Sequence, residues 1–494
     1  MPSAARPPAS GPPSASGARI AGDDYQHLLA WSGALRALQP GSDAVAFELE
    51  APGIGNVDDI VLRRAVRPSE YCQVKWAVDA STPVNAAYLL DPPAGSSTPL
   101  LARFLASYRR LRTDDNAPPE LYLQTNRDLD PYDPVMVLRD GRTCLLLPKL
   151  ASVGPRSAAG KERARWAVAL RIIENELLEL LGALRFHTGR GLQLEWERAG
   201  VLMLAAGLRY DDDALTLGVA AVRRWVIDGV RIQTLPELQQ RVEALNLGLA
   251  DPRAILLVQA IDRDPHPEDA TEQLDWVDLY DGANAFERVV PRAPAAWTAM
   301  AAELDAAVAR LRAAGHRRIL VRGALRQATF FAVGAALRQV TGVEIAYVQH
   351  GQLWTSDHPV DRQTRLTERV DDLGGNDGLA VAVAVSTDPA DAVRKYLAAN
   401  QLRAKRLLTL VPEPGSSDQA IPTASAAVAT AIAVREHVRR HIEELEADRI
   451  HLFLAGPGGL ALLLGHRWNR VAPTQVYEHL GIGKGYVPAF AISA

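Results

Sequence analysis

The chain has 494 residues, a formal net charge of −4, 48% hydrophobic residues and 23% charged ones. That length accommodates two or three domains with cores of their own. The slightly acidic balance excludes a protein that holds nucleic acid through its overall charge, so any DNA contact must come from local patches or from surfaces joined by assembly.

No run approaches the roughly 18 to 20 apolar residues that cross a bilayer, so no membrane span is expected. Two cysteines, Cys72 and Cys144, give neither a disulfide framework nor a metal-binding spacing. A cytoplasmic protein is the simple expectation. Residues 1–19 (MPSAARPPASGPPSASGAR) lack an apolar core and are expected to form a disordered tail, not a signal peptide.

Asp23–Leu38 has helical spacing with an acidic start. It leads into Phe47–Trp76, which reads as an extended segment, a Gly-rich turn, a strand opening with Asp58-Asp59, a turn at Pro68 and a further strand. In the last strand Gln73 and Lys75 are two apart, which places both side chains on one face. Acids on one strand and Q-x-K on the next bring a carboxylate, an amide and an amine together. A metal-dependent phosphodiesterase needs that grouping: hard oxygen ligands for Mg²⁺ and a cation beside the attacked phosphate.

Lysine usage singles out Lys75. Only six of the 54 basic residues are Lys, namely Lys75, Lys149, Lys161, Lys395, Lys405 and Lys484. A chain that otherwise writes positive charge as Arg has kept the compact, pKa-adjustable amine inside a predicted strand.

Leu100–Leu111 is a predicted helix, Glu120–Asn126 (ELYLQTN) a predicted strand, and Thr143–Leu147 another. Residues 161–249 read as mostly helical, including RIIENELLELLGALRF. Arg103, Arg109, Arg110 and Arg112 form one candidate DNA-contacting patch, and Lys161, Arg163 and Arg165 a second.

The second half changes character. Ala254–Ile261 (AILLVQAI) is an apolar run of buried-strand length. Predicted strands at Arg318–Arg322, Ile345–Val348, Leu379–Val385, Arg406–Val411 and Ile450–Leu454 alternate with predicted helices at Ala296–Gly315, Phe330–Val340, Ala390–Asn400 and Ala424–Glu446, and a last helix begins near Leu460. Such alternation predicts α/β architecture with parallel sheets.

Two stretches repeat: RILVRGALRQATFFAVG begins at Arg318 and RIHLFLAGPGGLALLLG at Arg449, a shift of 131 residues. AILLVQAID and AVAVAVSTD pair at a similar shift. Two fused α/β units are therefore expected, with ligands at the carboxyl ends of their strands.

The loops at those ends are Ile261–Asp264, Gly323–Gln327, Ser386–Ala390 and Ala455–Leu460. The last (AGPGGL) joins a strand to a helix, where bare N–H groups receive an anion. Candidate binding residues are Asp262, Arg263, Arg322, Arg326, Thr387, Gly456, Gly458 and Gly459, with Trp276, Tyr280 and Trp354 as stacking surfaces. No GxxxxGK[ST] phosphate loop and no GxSxG elbow occurs. His437 and His441 are i and i+4 on a predicted helix without an evident third metal ligand, which reads as a solvated face.

The second half resembles a SAVED domain, the fused double CARF-like sensor of bacterial CBASS anti-phage systems. The duplicated units, HLFLAGPGGLALLLG, Pro473–Glu478 and Tyr486–Pro488 carry the likeness. Through Tyr25-Gln26, VDDIV, QVK and TNR, the first half is similar to the PD-(D/E)xK nuclease core, in its variant with Q-x-K.

The resemblance implies a restriction-endonuclease-like domain over 20–245 and two CARF-like Rossmannoid units over 246–494. It also implies an effector endonuclease that binds a cyclic oligonucleotide from a CD-NTase synthase, forms a homo-oligomer and degrades double-stranded DNA with Mg²⁺. In this picture Asp59 or Asp58 is the metal carboxylate and Gln73 ligates through its amide oxygen. Lys75 stabilises charge on the phosphorane or positions water, and Glu50 or Glu48 completes the metal shell. The other expectation is a non-catalytic cyclic-oligonucleotide-binding protein with a degenerate nuclease fold.

Overall fold

In the first unit, short and mostly buried strands make a sheet, and helices close over it. A computed structural model describes residues 15–93, 95–112, 118–376 and 378–493. The chain divides into two units, Met1–Pro252 and Arg253–Ala494, a few residues beyond the expected boundary at 245/246. A helix spans Ala15–Ala37, so regular structure begins inside the stretch expected to be a tail; residues 1–14 lie outside the described residues.

The strands of the first unit are β1 (Ala44–Leu49), β2 (Ile60–Arg64), β3 (Glu70–Lys75), β4 (Glu120–Thr125), β5 (Leu184–His187) and β6 (Ile232–Thr234). They form one sheet in the order β5-β4-β3-β2-β1-β6. β1, β2 and β3 run antiparallel in sequence, and β3, β4 and β5 are parallel.

The helix Leu100–Leu111 turns Leu101, Phe104, Leu105 and Tyr108 inward at helical spacing. They join Val61, Leu121, Leu123 and Phe186 in one core. The helix Ala15–Ala37 packs with helices Leu192–Ala205 and Asp212–Ile227. There Gly218 admits the Trp31 indole, which lies 2.3 Å from where a Cβ would be.

Two expectations for this unit are corrected. Residues 143–147 form turns rather than a strand. On the side away from β3, β4 pairs in parallel with β5, cut from the end of a stretch read as helix. Its Leu184 and Phe186 enter the core while Arg185 reaches Glu120 on β4 at 2.7 Å.

The second unit holds two Rossmann-like sheets. The first contains β7 (Ala254–Gln259), β8 (Glu272–Asp275), β9 (Arg318–Arg322), β10 (Glu344–Gln349) and β11 (Gln352–Thr355). The second contains β12 (Leu366–Asp372), β13 (Leu379–Ala384), β14 (Arg406–Pro412), β15 (Ile450–Ala455), β16 (Thr474–His479) and β17 (Tyr486–Ile492).

Their orders are β11-β10-β9-β7-β8 and β12-β14-β13-β15-β16-β17. Reversing the first gives β8-β7-β9-β10-β11, which matches β14-β13-β15-β16-β17 strand for strand, with β12 added outside. Antiparallel edges at β11, β12 and β17 modify the expected all-parallel pattern.

The duplication recurs at atomic scale where helices Gln327–Ala336 and Gly458–His466 cross. A Cβ on Gly334 would lie 2.0 Å from the Leu462 carbonyl oxygen and 2.8 Å from the His466 nitrogen. A Cβ on Gly465 would lie 2.1 Å from the Phe331 oxygen and 2.9 Å from the Ala335 nitrogen. Each member of one set is 131 residues from its counterpart in the other, so the two helices meet across a local pseudo-twofold axis. The helix-closing glycine of each repeat is there because only glycine lets the backbones touch.

His437 and His441 are not simply solvated. Glu368 on β12 accepts from His437 Nδ1 at 2.8 Å and also pairs with Arg440. His441 Nε2 stands 3.4 Å from the same carboxylate, and Arg406 lies 2.8 Å from His441 Nδ1. The group ties β12 to the helix Ala424–Leu445.

Candidate functional site

Strand register brings the predicted nuclease residues of the first unit together. Leu49 pairs with Ile60 and Ile60 with Cys72, so Glu50, Asp59 and Gln73 occupy adjacent positions on three neighbouring strands. The Glu50 and Ala51 N–H groups donate to the Asp59 and Asp58 carbonyls at 3.2 and 2.9 Å. The intervening turn is braced from the helix Leu100–Leu111: Ser107 Oγ accepts from Asn56 N–H at 3.2 Å, and Arg110 donates to the Gly53 carbonyl. Gly55, at φ +107°, leaves room for the Ser107 hydroxyl 2.7 Å from its missing Cβ.

Asp59 is half-buried at the centre of the group. Its Oδ2 accepts from the Gln73 amide and, at 2.6 Å, from the Val74 N–H, while its Oδ1 accepts no hydrogen bond from the described residues. Burial pushes its carboxyl up to about 6, and neighbouring Asp58 acts in the same direction against Val74 and Lys75. Burial likewise raises Asp58, with Glu50 adding repulsion.

Lys75 is half-buried and makes no hydrogen bond or ion pair among the described residues. Just past it, Asn126 fixes the exit of β3, accepting from Ala77 N–H at 2.9 Å and donating to the Ala77 carbonyl at 2.7 Å. The two glutamates separate. Glu48 is buried against Arg63 at 2.7 Å, whereas Glu50 stands half in solvent 3.4 Å from Arg231.

A buried polar group beneath these residues was not evident from the sequence. Gln124 donates to Glu195 at 2.8 Å, Arg190 donates to Gln124 at 3.3 Å, and Arg198 reaches Glu195 at 3.2 Å. Tyr25, of the YQ pair, donates its hydroxyl to the Arg190 carbonyl at 2.6 Å. Apart from Arg198 and Glu195, three apart on one helix, pairing across 66 to 165 positions in the chain makes these residues one group.

Among the described residues no cluster of three or more His, Cys, Asp or Glu side chains converges as a metal centre. Both predicted basic patches are largely engaged. Arg109 and Arg112 pair with Glu176 and Glu179, Arg110 caps the Gly53 turn, and Arg163 and Arg165 pair with Glu174 and Glu162.

In the second unit a pocket of about 570 Å³ opens at the carboxyl ends of β13, β15 and β16. Three of the four predicted loops line it, through Arg326, Thr387 and Gly456 among others, joined by Glu478, His479 and Tyr486. The fourth loop, Ile261–Asp264, does not.

Several candidate binding residues lie elsewhere because they have internal partners. Arg322 pairs with Asp264 at 2.7 Å, and Arg263 pairs with Asp275 and Asp278 at 2.9 and 2.8 Å. Asp262 caps the Arg263 N–H at 2.9 Å. Trp276 and Trp354 are core residues, 1% and 3% exposed, and Trp276 donates its indole N–H to Glu303.

Gly458 and Gly459 give close packing against Phe330 and Trp354. The Gly459 N–H is already capped by Gln349 Oε1 at 2.9 Å, which removes it from anion binding. Glu478 closes the Pro473–Glu478 motif that carries the SAVED likeness, but the sequence did not single it out as a binding residue.

Residues 301–492 match the SAVED family model, described as the SMODS-associated and fused to various effectors sensor domain. No curated protein matches the chain. Among solved structures, the Acinetobacter baumannii Cap4 SAVED/CARF-domain containing receptor with the cyclic trinucleotide 2'3'3'-cAAA is 15% identical, with 96% of this chain and 99% of that one covered and a TM-score of 0.48. The Moraxella osloensis Cap4 SAVED/CARF-domain containing receptor is 13% identical over the same shares, with a TM-score of 0.44. No helix among the described residues is long and apolar enough to cross a membrane. By the family match, the chain carries a SAVED domain over residues 301–492.

Proposed function

We propose that the chain is an anti-phage effector endonuclease in which a cyclic oligonucleotide, made by a CD-NTase synthase, binds the second unit. Binding drives assembly into a homo-oligomer, and the first unit then cuts double-stranded DNA with Mg²⁺ in the cytoplasm. The observation that carries the sensor half is the pocket at the strand ends of a SAVED domain. For the nuclease half it is the adjacency of Asp59, Gln73 and Lys75.

The residues fit a hard divalent cation. Asp59 is a half-buried carboxylate, and among the described residues one of its oxygens accepts no hydrogen bond and no cationic side chain pairs with it. Gln73 offers its amide oxygen on turning over. Asp58 and Glu50 stand near but do not converge with Asp59 on one point among the described residues, so water would fill most positions of a magnesium shell held there. Mg²⁺ bound there supplies Lewis-acid polarisation of a phosphoryl oxygen. Lys75, unpaired among the described residues beside this group, neutralises negative charge gathering on the attacked phosphate, and Asp59 must be ionised to act. Engagement of the Arg patches by acids agrees with a nuclease that meets DNA through an assembled surface.

The test is cleavage of plasmid DNA with Mg²⁺, with and without cyclic di- and trinucleotides, for the wild type and Lys75→Ala. Cutting that needs one ligand and vanishes in the variant, with ligand affinity unchanged, supports the reading. Wild-type cutting by Lys75→Ala overturns the active-site assignment.

A second reading, a non-catalytic cyclic-oligonucleotide-binding protein, draws on Gln73 standing where a carboxylate would bind metal more strongly. EDTA-insensitive ligand binding without any cutting would select it.

A further inference from the structure

The two helices that cross at the pseudo-twofold axis are also capped across it. Gln349, the last residue of β10, accepts the Gly459 N–H with Oε1 at 2.9 Å. Glu478, near the end of β16, accepts the Ala328 N–H with Oε2 at 2.8 Å. Gly459 and Ala328 are 131 residues apart, so these are one contact made twice, each half capping the helix of the other. On one side an amide makes the cap and on the other a carboxylate. The cap itself therefore needs no charge.

The difference falls on the pocket side. Glu478 lines the 570 Å³ pocket and is only 3% exposed. Burial raises its carboxyl to about 7, a cost that an amide in the same cap would avoid. The pocket offers little to a phosphate. Its one arginine, Arg326, donates through Nε and Nη2 to the carbonyls of Arg288 and Ala285 and so serves as a strut for that loop. Asp388 is a second acid on the lining, paired with Arg369. The walls suit a flat heterocycle: Leu325, Leu454 and Ile482 are apolar, and Tyr486 packs on His479 with ring centroids 5.1 Å apart.

We infer that this pocket takes a nucleobase rather than a phosphate, and that Glu478 is its specificity determinant, accepting N–H groups from an amino-bearing base edge. The ligand's phosphates lie outside, toward the rim. Adenine, guanine and cytosine present such an amino group; uracil does not. The inference rests on the proposed sensor reading and goes on to name what the sensor discriminates.

The experiment titrates the full-length wild type and Glu478→Gln with cyclic di- and trinucleotides of A, G, C and U, by calorimetry. Glu478→Gln keeps an acceptor oxygen for Ala328, as Gln349 does in the sister cap, so its melting temperature should not fall. For a charged acceptor meeting one or two N–H donors, binding of the preferred amino-bearing ligand should weaken ~10- to 100-fold, while the all-uridine ring binds poorly to both proteins. Unchanged affinity and base preference in Glu478→Gln would overturn the inference and leave the sensor reading standing. Preference of the wild type for the all-uridine ring would do the same. Failure of the wild type to bind any member of the panel would overturn the sensor reading itself, and this inference with it.

Discussion

Replacing Gly465 by Ala tests the helix crossing directly. The new Cβ would stand 2.1 Å from the Phe331 oxygen, 2.9 Å from the Ala335 nitrogen and 3.0 Å from the Phe331 carbonyl carbon. All three are backbone atoms, so no rotamer change relieves the clash, and the helices must separate by roughly 1 Å to restore ordinary contact. Overpacking of this kind costs about 3 kcal/mol at the upper end of its usual range. Alanine returns at most ~1 kcal/mol of helix propensity, which leaves a net loss of about 2 kcal/mol.

Hydrogen exchange read by mass spectrometry suits a two-unit chain, because it reports the two helices without assuming a single transition. Amides of Gln327–Ala336 and Gly458–His466 should exchange roughly thirtyfold faster, the equivalent of that 2 kcal/mol. Gly334→Ala should do the same. The double variant should cost less than the sum, since the first Cβ has already parted the helices. Wild-type exchange in Gly465→Ala, or full additivity in the double variant, would refute the close crossing.

Three further outcomes follow from the first unit. Glu70→Ala removes the carboxylate that Arg36 and Arg64 share, while Arg64 keeps Asp43 at 2.5 Å; thermal denaturation should show a loss of about 1–3 kcal/mol. Asp59 has a folded-state carboxyl raised from 3.8 to about 6, so the folded state holds its proton longer than the unfolded chain does. Stability from this group is therefore greatest below pH ~4 and falls by up to about 3 kcal/mol as pH rises to ~6. Denaturation of wild type and Asp59→Asn across that range should show the gap moving in favour of the variant with rising pH. Gly200→Ala, whose Cβ would meet nothing nearer than 3.9 Å, should stabilise its helix by ~0.5–1 kcal/mol in the same melts.

Much of the second unit was legible because buried parallel strands are apolar throughout, as in Leu379–Ala384 and Ile450–Ala455, and because repeated turns betray repeated units. The loops that line the pocket followed from strand direction alone. Edge strands escaped notice for the opposite reason: β12 reads LTERVDD and is exposed along most of its length, without an apolar signature.

The pairing of charged candidates was not legible where the acid lies distant in the chain, as Asp264 does from Arg322 across 58 positions. The group around Asp59 was legible through period-two spacing. Its supports, Asn126 and the Gln124–Glu195–Arg190 cluster, depend on register between strands that local patterning does not encode. Glu478 stood inside a motif of the sequence without a role of its own for a related reason: its meaning lies in comparison with Gln349, and that comparison needs the pseudo-twofold axis.

The crossing of the two glycine-closed helices also sets a timetable for synthesis. Helix Gln327–Ala336 is buried along nearly its whole length, Phe330, Phe331 and Val333 included, and much of its cover is the helix that begins at Gly458. At bacterial or slower elongation rates, the 131 residues between the paired glycines take on the order of ten seconds to emerge. During that interval the nascent chain carries an apolar helix whose largest partner has not yet been made. Chains stalled or cut before residue 458 should therefore be the aggregating, chaperone-bound species of this protein.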